Sequence, residues 1–139
     1  MTQELIPGSN KTLKTDDFSV SLPAIISDGG KAPSKRFVEF FTANIRNPNT
    51  RSAYARAVRD FFLWIDEKNI RSLSEIETVH VAGYIEAMSR ERAAPTVKQH
   101  LAGIRALFDY LITGGLLPTN PAAAVRGPKH SNQQGKTPV

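Results

Sequence analysis

Two helical patterns in this chain carry polar residues whose types and spacing suit the gripping of an anion. Arg51, Arg56 and Arg59 stand in the opening turns of one of them, with Thr50 and Ser52 alongside. No acid of that pattern precedes Asp60, and Asp66 and Glu67 fall near its far end. A helix N-terminus carries partial positive charge, so this order of charges costs about 0.3 kcal/mol or more per misplaced base, and an external anion offsets it. At about 100° per residue, Ser52, Arg56 and Arg59 lie opposite Tyr54 and Phe61 and point away from a core. Thr96, Lys98, Gln99 and Arg105 surround the apolar stripe of the other pattern, again without an early acid. Ala102, Gly103 and Ala106 read as a low outer profile suited to close approach to a large rigid surface. Lys, Arg, Gln and Thr hydrogen-bond phosphates or base edges, and the DNA major groove admits one α-helix. The chemistry so implied is charge-assisted binding.

Other chemistries find no residues to carry them. The chain has no cysteine, which excludes a disulfide scaffold, a Cys-based zinc site and a cysteine nucleophile. His80, His100 and His130 have no metal-ligand spacing. Neither a G-x-x-x-x-G-K-[ST] loop nor G-x-G-x-x-G occurs, and no Ser, His and Asp form a nucleophile motif. No metal, cofactor or catalytic residue is therefore expected. Tyr54, Tyr110 and Trp64 read as packing groups, and Tyr84 as either core or surface. His100, beside Lys98 and Gln99, reads as a phosphate contact or as a partly buried helix histidine. No apolar run approaches the ~20 residues of a membrane span. The N-terminus lacks the charged and apolar regions of a signal peptide, and the absence of cysteine fits a reducing cytosol.

The elements that must position these residues are helices. The chain has 139 residues, 40% of them hydrophobic, and a net charge of +5. One ordinary domain fits that length. Residues 1–30 carry two bases and four acids, whereas residues 111–139 carry Arg126, Lys129 and Lys136 and no acid. The basic excess belongs to the middle and the tail. Pro7-Gly8, Pro23 and Gly29-Gly30 punctuate the first ~30 residues. Phe18, Val20 and Leu22 alternate there as one short strand with no evident partner, so extended or disordered chain is expected.

Four helical patterns follow. The first runs from about Ser34 to Ile45 on Phe37, Phe40, Phe41 and Ile45, and Asn47-Pro48 ends it. The second has Asn49 or Thr50 as its N-cap and a Tyr54, Ala57, Val58, Phe61, Ile65 stripe, and it ends near Lys68-Asn69. The third runs from Thr78, as its N-cap, to about Arg92 on Val81, Ala82, Ile85 and Met88, with Gly83 marking a close helix contact. The fourth starts at Pro95 and carries Val97, Leu101, Ile104, Phe108 and Leu111, with Gly114-Gly115 as a left-handed C-cap. The expectation is an all-α, compact four-helix domain over residues 32–126. A flexible arm (1–31) precedes it, and a linker of Gly, Pro, Ser, Asn and Gln (127–139) follows.

From the residues alone three readings stay open beyond plain solvated surface: nucleic-acid binding, a helical protein-interaction module and an enzyme. A resemblance narrows them. Asn49-Thr50-Arg51-Ser52-Ala53-Tyr54, followed by Val58 to Trp64, resembles the N-T-x-x-x-Y…L-x-x-F-x-x-W helix of tyrosine recombinases of the phage-integrase and Xer class. Ala94 to Leu101 with Ile104-Arg105-Ala106-Leu107-Phe108 resembles that family's S-x-x-T-v-x-x-x-L-x-x-l-R-x-l-F helix. Asn120-Pro121-Ala122 with Val125 to Lys129 resembles its N-P-a…v-x-x-P-K exit. The three occur in the family's order over residues 33–138.

The resemblance implies an N-terminal core-binding, SAM-like domain that grips one half of a recombination site on double-stranded DNA through the second and fourth helices. Thr50, Arg51, Thr96, Lys98, Gln99 and Arg105 match the family's DNA-facing positions. Ser52, Arg56 and Arg59 come from charge and helical phase, and Lys129 from the exit motif. The resemblance further implies that Phe37 and Phe40 face a neighbouring protomer, with core packing the equal alternative. The catalytic tyrosine, arginines and His-x-x-Arg of the family are not in this sequence. The reading is therefore a non-cleaving piece of a longer enzyme, monomeric alone, tetrameric on DNA within its parent, in a prokaryotic, nucleoid-associated cytoplasm.

Overall fold

The computed structural model describes residues 11–15 and 18–129. An antiparallel hairpin, β1 (Lys11–Thr15) and β2 (Phe18–Leu22), comes first, in a register that pairs Lys11 with Leu22 and Thr15 with Phe18. Next come α1 (Ala24–Ser27) and α2 (Lys31–Glu39), the latter continuing as a π-helical turn over Phe40–Asn44. The remaining elements are α3 (Pro48–Glu67), a 3₁₀ turn at Leu73–Glu75, α4 (Thr78–Ser89) and α5 (Ala94–Thr113). The domain proper is all-α, as the stripes require. The alternating Phe18-Val20-Leu22 segment does have a partner, contrary to expectation. Lys11-Thr12-Leu13-Lys14-Thr15 supplies it through threonines, which suit a pleated surface but interrupt an apolar count. Residues 1–10 of the expected arm and 130–139 of the expected linker lie outside the described residues.

α3 and α5 pack along each other and α2 and α4 close the sides. Their stripes meet in a core containing Phe37, Phe40, Phe41, Phe61, Phe62 and Phe108. The rings prefer edge contacts: Phe37 meets Phe41 with centroids 5.2 Å apart, and Phe61 meets Phe108 at 6.1 Å. Phe37 and Phe40 are 1% and 0% exposed, so core packing accounts for both and neither is open to a neighbouring protomer. The core also takes in Leu22 and Ile26, upstream of residue 32, and Ala122 and Val125 in the exit segment.

The helix ends refine the sequence reading. Asn47, rather than Asn49 or Thr50, caps α3: its side-chain oxygen accepts from Asn49 N at 2.8 Å and Thr50 N at 3.2 Å, and Pro48 follows in the first turn. At α4 the cap is Glu77 rather than Thr78, and its backbone N–H donates to His80 Nδ1 at 2.9 Å. α5 closes on Gly115, whose φ of 79° is the left-handed conformation. Leu116 N donates to Leu111 O and Gly115 N to Ile112 O, so the freed carbonyls are met. Gly83 faces the Trp64 ring, but a β-carbon there would lie 3.5 Å from it, an ordinary packing distance, so the approach does not require glycine.

Candidate nucleic-acid interface

On α3, Ser52, Arg56 and Arg59 are exposed as the helical phase requires, while Thr50 is half-buried. Arg59 meets Asp60 at 3.3 Å in a largely exposed pair that is worth little. Arg56 has no ion pair among the described residues. Arg51 is spent differently. Its Nε donates to Phe41 O at 2.9 Å and its Nη2 to Ile45 O at 2.8 Å. Those carbonyls belong to the π-helical turn and the residue closing it, where helix carbonyls lose their intrahelical donors. Arg51 is thus badly placed for the dipole of its own helix and well placed for that of the preceding one. Backbone carbonyls supply the compensation that the sequence reading sought in an external anion.

On α5, Lys98 and Gln99 are exposed and Thr96 is half-buried. The helix start differs from that of α3. Ala93 at the N-cap offers no side-chain acceptor, no acid stands in the first turn, and Pro95 removes one donor. The backbone N–H groups of Ala94 and Thr96 there remain available to an anion. Arg105 lies two turns further along α5, on the flank that Lys98 also occupies. Its Nε donates to Ala122 O at 3.1 Å and its Nη2 to Val125 O, so it holds the exit segment. Gly103 faces inward, contrary to the expected low outer profile: it is buried, and a β-carbon there would lie 3.1 Å from Tyr54 Cδ1. Its smallness lets α3 and α5 approach each other rather than a ligand.

His100 is 4% exposed, so the buried alternative applies. Its Nδ1 has no hydrogen-bond partner among the described residues. Burial pushes its pKa below 6.5, opposed by Asp60 and reinforced by Arg92 and Arg56. Tyr84 is core, stacked edge-on against Phe61 and Trp64, and burial raises the pKa of its likewise unpartnered hydroxyl.

Lys129 is exposed, as is Arg126, which the sequence reading counted in the basic tail but did not select. Arg92, at the α4–α5 turn, was also passed over, because it follows the third stripe instead of lying within a basic helix start. No three His, Asp or Glu side chains gather to hold a metal ion among the described residues. No helix among them is long and apolar enough to cross a membrane.

The chain is thus an all-α domain with a basic, uncapped helix start and a pinned exit segment. Residues 35–115 match the family model for the phage integrase N-terminal SAM-like domain, and the chain belongs to that family, the N-terminal domain of tyrosine recombinases. It is similar to tyrosine recombinase XerC of Myxococcus xanthus, at 30% identity over 83 residues, covering 60% of this chain and 28% of that protein. XerC of Xanthomonas campestris pv. campestris is 24% identical over 119 residues, 81% of this chain and 37% of that protein. XerC of Pseudomonas fluorescens is 26% identical over 92 residues, 66% of this chain and 31% of that protein. The chain thus matches about a third of the length of these relatives. No solved structure matches it.

Proposed function

We propose that this domain binds double-stranded DNA, gripping one half of a recombination site through the exposed face of α3 and the N-terminal half of α5. Thr50, Ser52, Arg56 and Arg59 on α3, Thr96, Lys98 and Gln99 on α5, and Lys129 form the contact surface. Arg51 and Arg105 act behind it by holding the π-helical turn and the exit segment. The observation that carries the reading is the start of α5: uncapped, free of acids and flanked by exposed Lys98 and Gln99. Phosphates accept from the open N–H groups and from Thr96 and Lys98, while Gln99 reaches towards base edges.

The domain binds and does not cut. Its sequence has no His-x-x-Arg, and cleavage and rejoining belong to other residues of a full-length recombinase. Alone it acts as a monomer, and tetramers form on DNA in that larger protein, within a prokaryotic cytoplasm. Titration of a fluorescent duplex containing the recombination site tests the reading by anisotropy across a salt series. Neutralising four or five phosphates gives log K falling with log salt at a slope of about −4. A flat salt response, or no binding at about 50 mM salt, overturns it.

A further inference from the structure

We propose that the exit segment is itself part of the DNA-binding face, and that Arg105 and Asn120 are the positioning residues that hold it there. This rests on the DNA-binding reading above and adds to it a second strip of surface with its own assembly mechanism.

The pinning is built from five hydrogen bonds. Arg105 spans Ala122 O and Val125 O with two arms of its guanidinium. Asn120 Nδ2 donates to Arg105 O at 3.1 Å and to Asp109 Oδ1 at 2.8 Å, and Asn120 Oδ1 accepts from Ala122 N at 2.8 Å. Ala122 and Val125 then enter the core. A segment with no regular secondary structure is thereby given one direction, back along α5 towards its N-terminus.

The direction matters because of where it leads. A β-carbon at Gly127 would lie 3.5 Å from Lys98 Cγ and 3.6 Å from Leu101 Cδ2, so the chain crosses against the stem of Lys98. Arg126 and Lys129 flank that crossing, both exposed. Lys98, Arg126 and Lys129 have no ion pair among the described residues, and the sequence contains no acid after Asp109. Three exposed cations on or beside this crossing, with no acid paired to them among the described residues, raise the local positive potential of the free protein. A closely spaced row of phosphates neutralises it, which is the chemistry of a duplex backbone. Asn120 carries no charge and Arg105 is turned onto carbonyls, so their effect on binding is indirect.

The test is a double-mutant cycle on duplex affinity over a salt series, with amide exchange of the free protein as an independent readout. Arg126→Ala removes one phosphate contact and is expected to flatten the slope of log K against log salt by about 0.9. Asn120→Ala removes no charge, yet it is expected to flatten the slope at least as much and to speed exchange at Val125 N. In the Asn120→Ala background, Arg126→Ala then changes little further. Arg105→Lys, which keeps the charge but lacks the planar fork, is expected to behave as Asn120→Ala does and serves if that variant folds poorly. Wild-type slope and affinity in Asn120→Ala, or additive effects of the two substitutions, overturn the proposal. Unchanged exchange at Val125 overturns the pinning itself. Absence of any duplex binding by the wild type refutes the DNA-binding reading as well, and the exchange data then report on the pinning alone.

Discussion

Replacing Arg51 with alanine separates the two roles open to a basic residue in the first turn of α3. The substitution deletes hydrogen bonds of 2.9 Å and 2.8 Å and leaves the carbonyls of Phe41 and Ile45 without those donors. A bond from a charged donor contributes about 1.5 kcal/mol at the lower end of the measured range, so the pair contributes about 3 kcal/mol. Removing a cation from the start of α3 restores about 0.5 kcal/mol. The net expectation is a loss of about 2–3 kcal/mol. With an unfolding entropy of about 2.1 cal/mol/K per residue over roughly a hundred residues, the melting temperature falls by about 10–14 °C. Urea denaturation followed by circular dichroism, with the slope against urea unchanged, measures the same quantity. Arg59→Ala, which breaks an exposed pair, is the control and is expected to stay within about 0.5 kcal/mol of wild type. If Arg51→Ala unfolds within that margin too, its guanidinium is not holding the π-helical turn, and Arg51 returns to the contact surface.

Other outcomes follow from single contacts. Asn47→Ala strips the α3 cap and is expected to cost about 1 kcal/mol in the same denaturation assay, whereas Asn47→Asp retains the acceptor and should cost less. Gly115→Ala forces a β-carbon into a left-handed backbone and is expected to destabilise by about 1 kcal/mol, read as a lowered melting temperature. His100 makes stability fall with acid. Its folded pKa lies below the 6.5 that it has when unfolded, so the unfolded chain binds the proton first as pH drops. The increment is fully present above the ordinary imidazole range and is lost as pH falls through and below 6.5. The drop in urea midpoint from pH 7.5 to 5.5 should therefore be smaller in His100→Gln than in wild type, and an equal drop would refute the assignment. Lys98→Ala is expected to weaken duplex binding with the melting temperature nearly unchanged, and an equal loss of fold would make the residue structural.

Much of the fold was legible because burial repeats with the helical period. Ala57, Val58, Phe61 and Ile65 on α3, and Val97, Leu101, Ile104, Phe108 and Leu111 on α5, are buried as their spacing required. The same phase brought Ser52, Arg56, Arg59, Lys98 and Gln99 to the surface. Periodicity does not report what a half-buried side chain touches across the fold. Arg51 and Arg105 share a basic character with their exposed neighbours, but their acceptors are backbone carbonyls ten and six residues away in one case and 17 and 20 in the other. Gly103 was misread for a related reason. A small residue suits both an outer face and a helix crossing, and only the position of Tyr54 distinguishes the two. The β1–β2 pairing was hidden because a strand rich in Thr and Lys shows no apolar alternation.

The π-helical turn at Phe40–Asn44 has a consequence for chain length. A π turn holds one residue more than the α turn it replaces. Here the wider turn accompanies two adjacent phenylalanines, both fully buried. The stretch between α2 and α3 thus carries one residue more than an α turn would, and removing one from Thr42–Asn44 would favour α geometry. The chain after the deletion would then turn relative to α2, and Ile45 O would move away from Phe41 O, the other carbonyl that Arg51 holds. An insertion or deletion there would reach the start of α3 as a rotation, with no change at any residue that α3 itself contains.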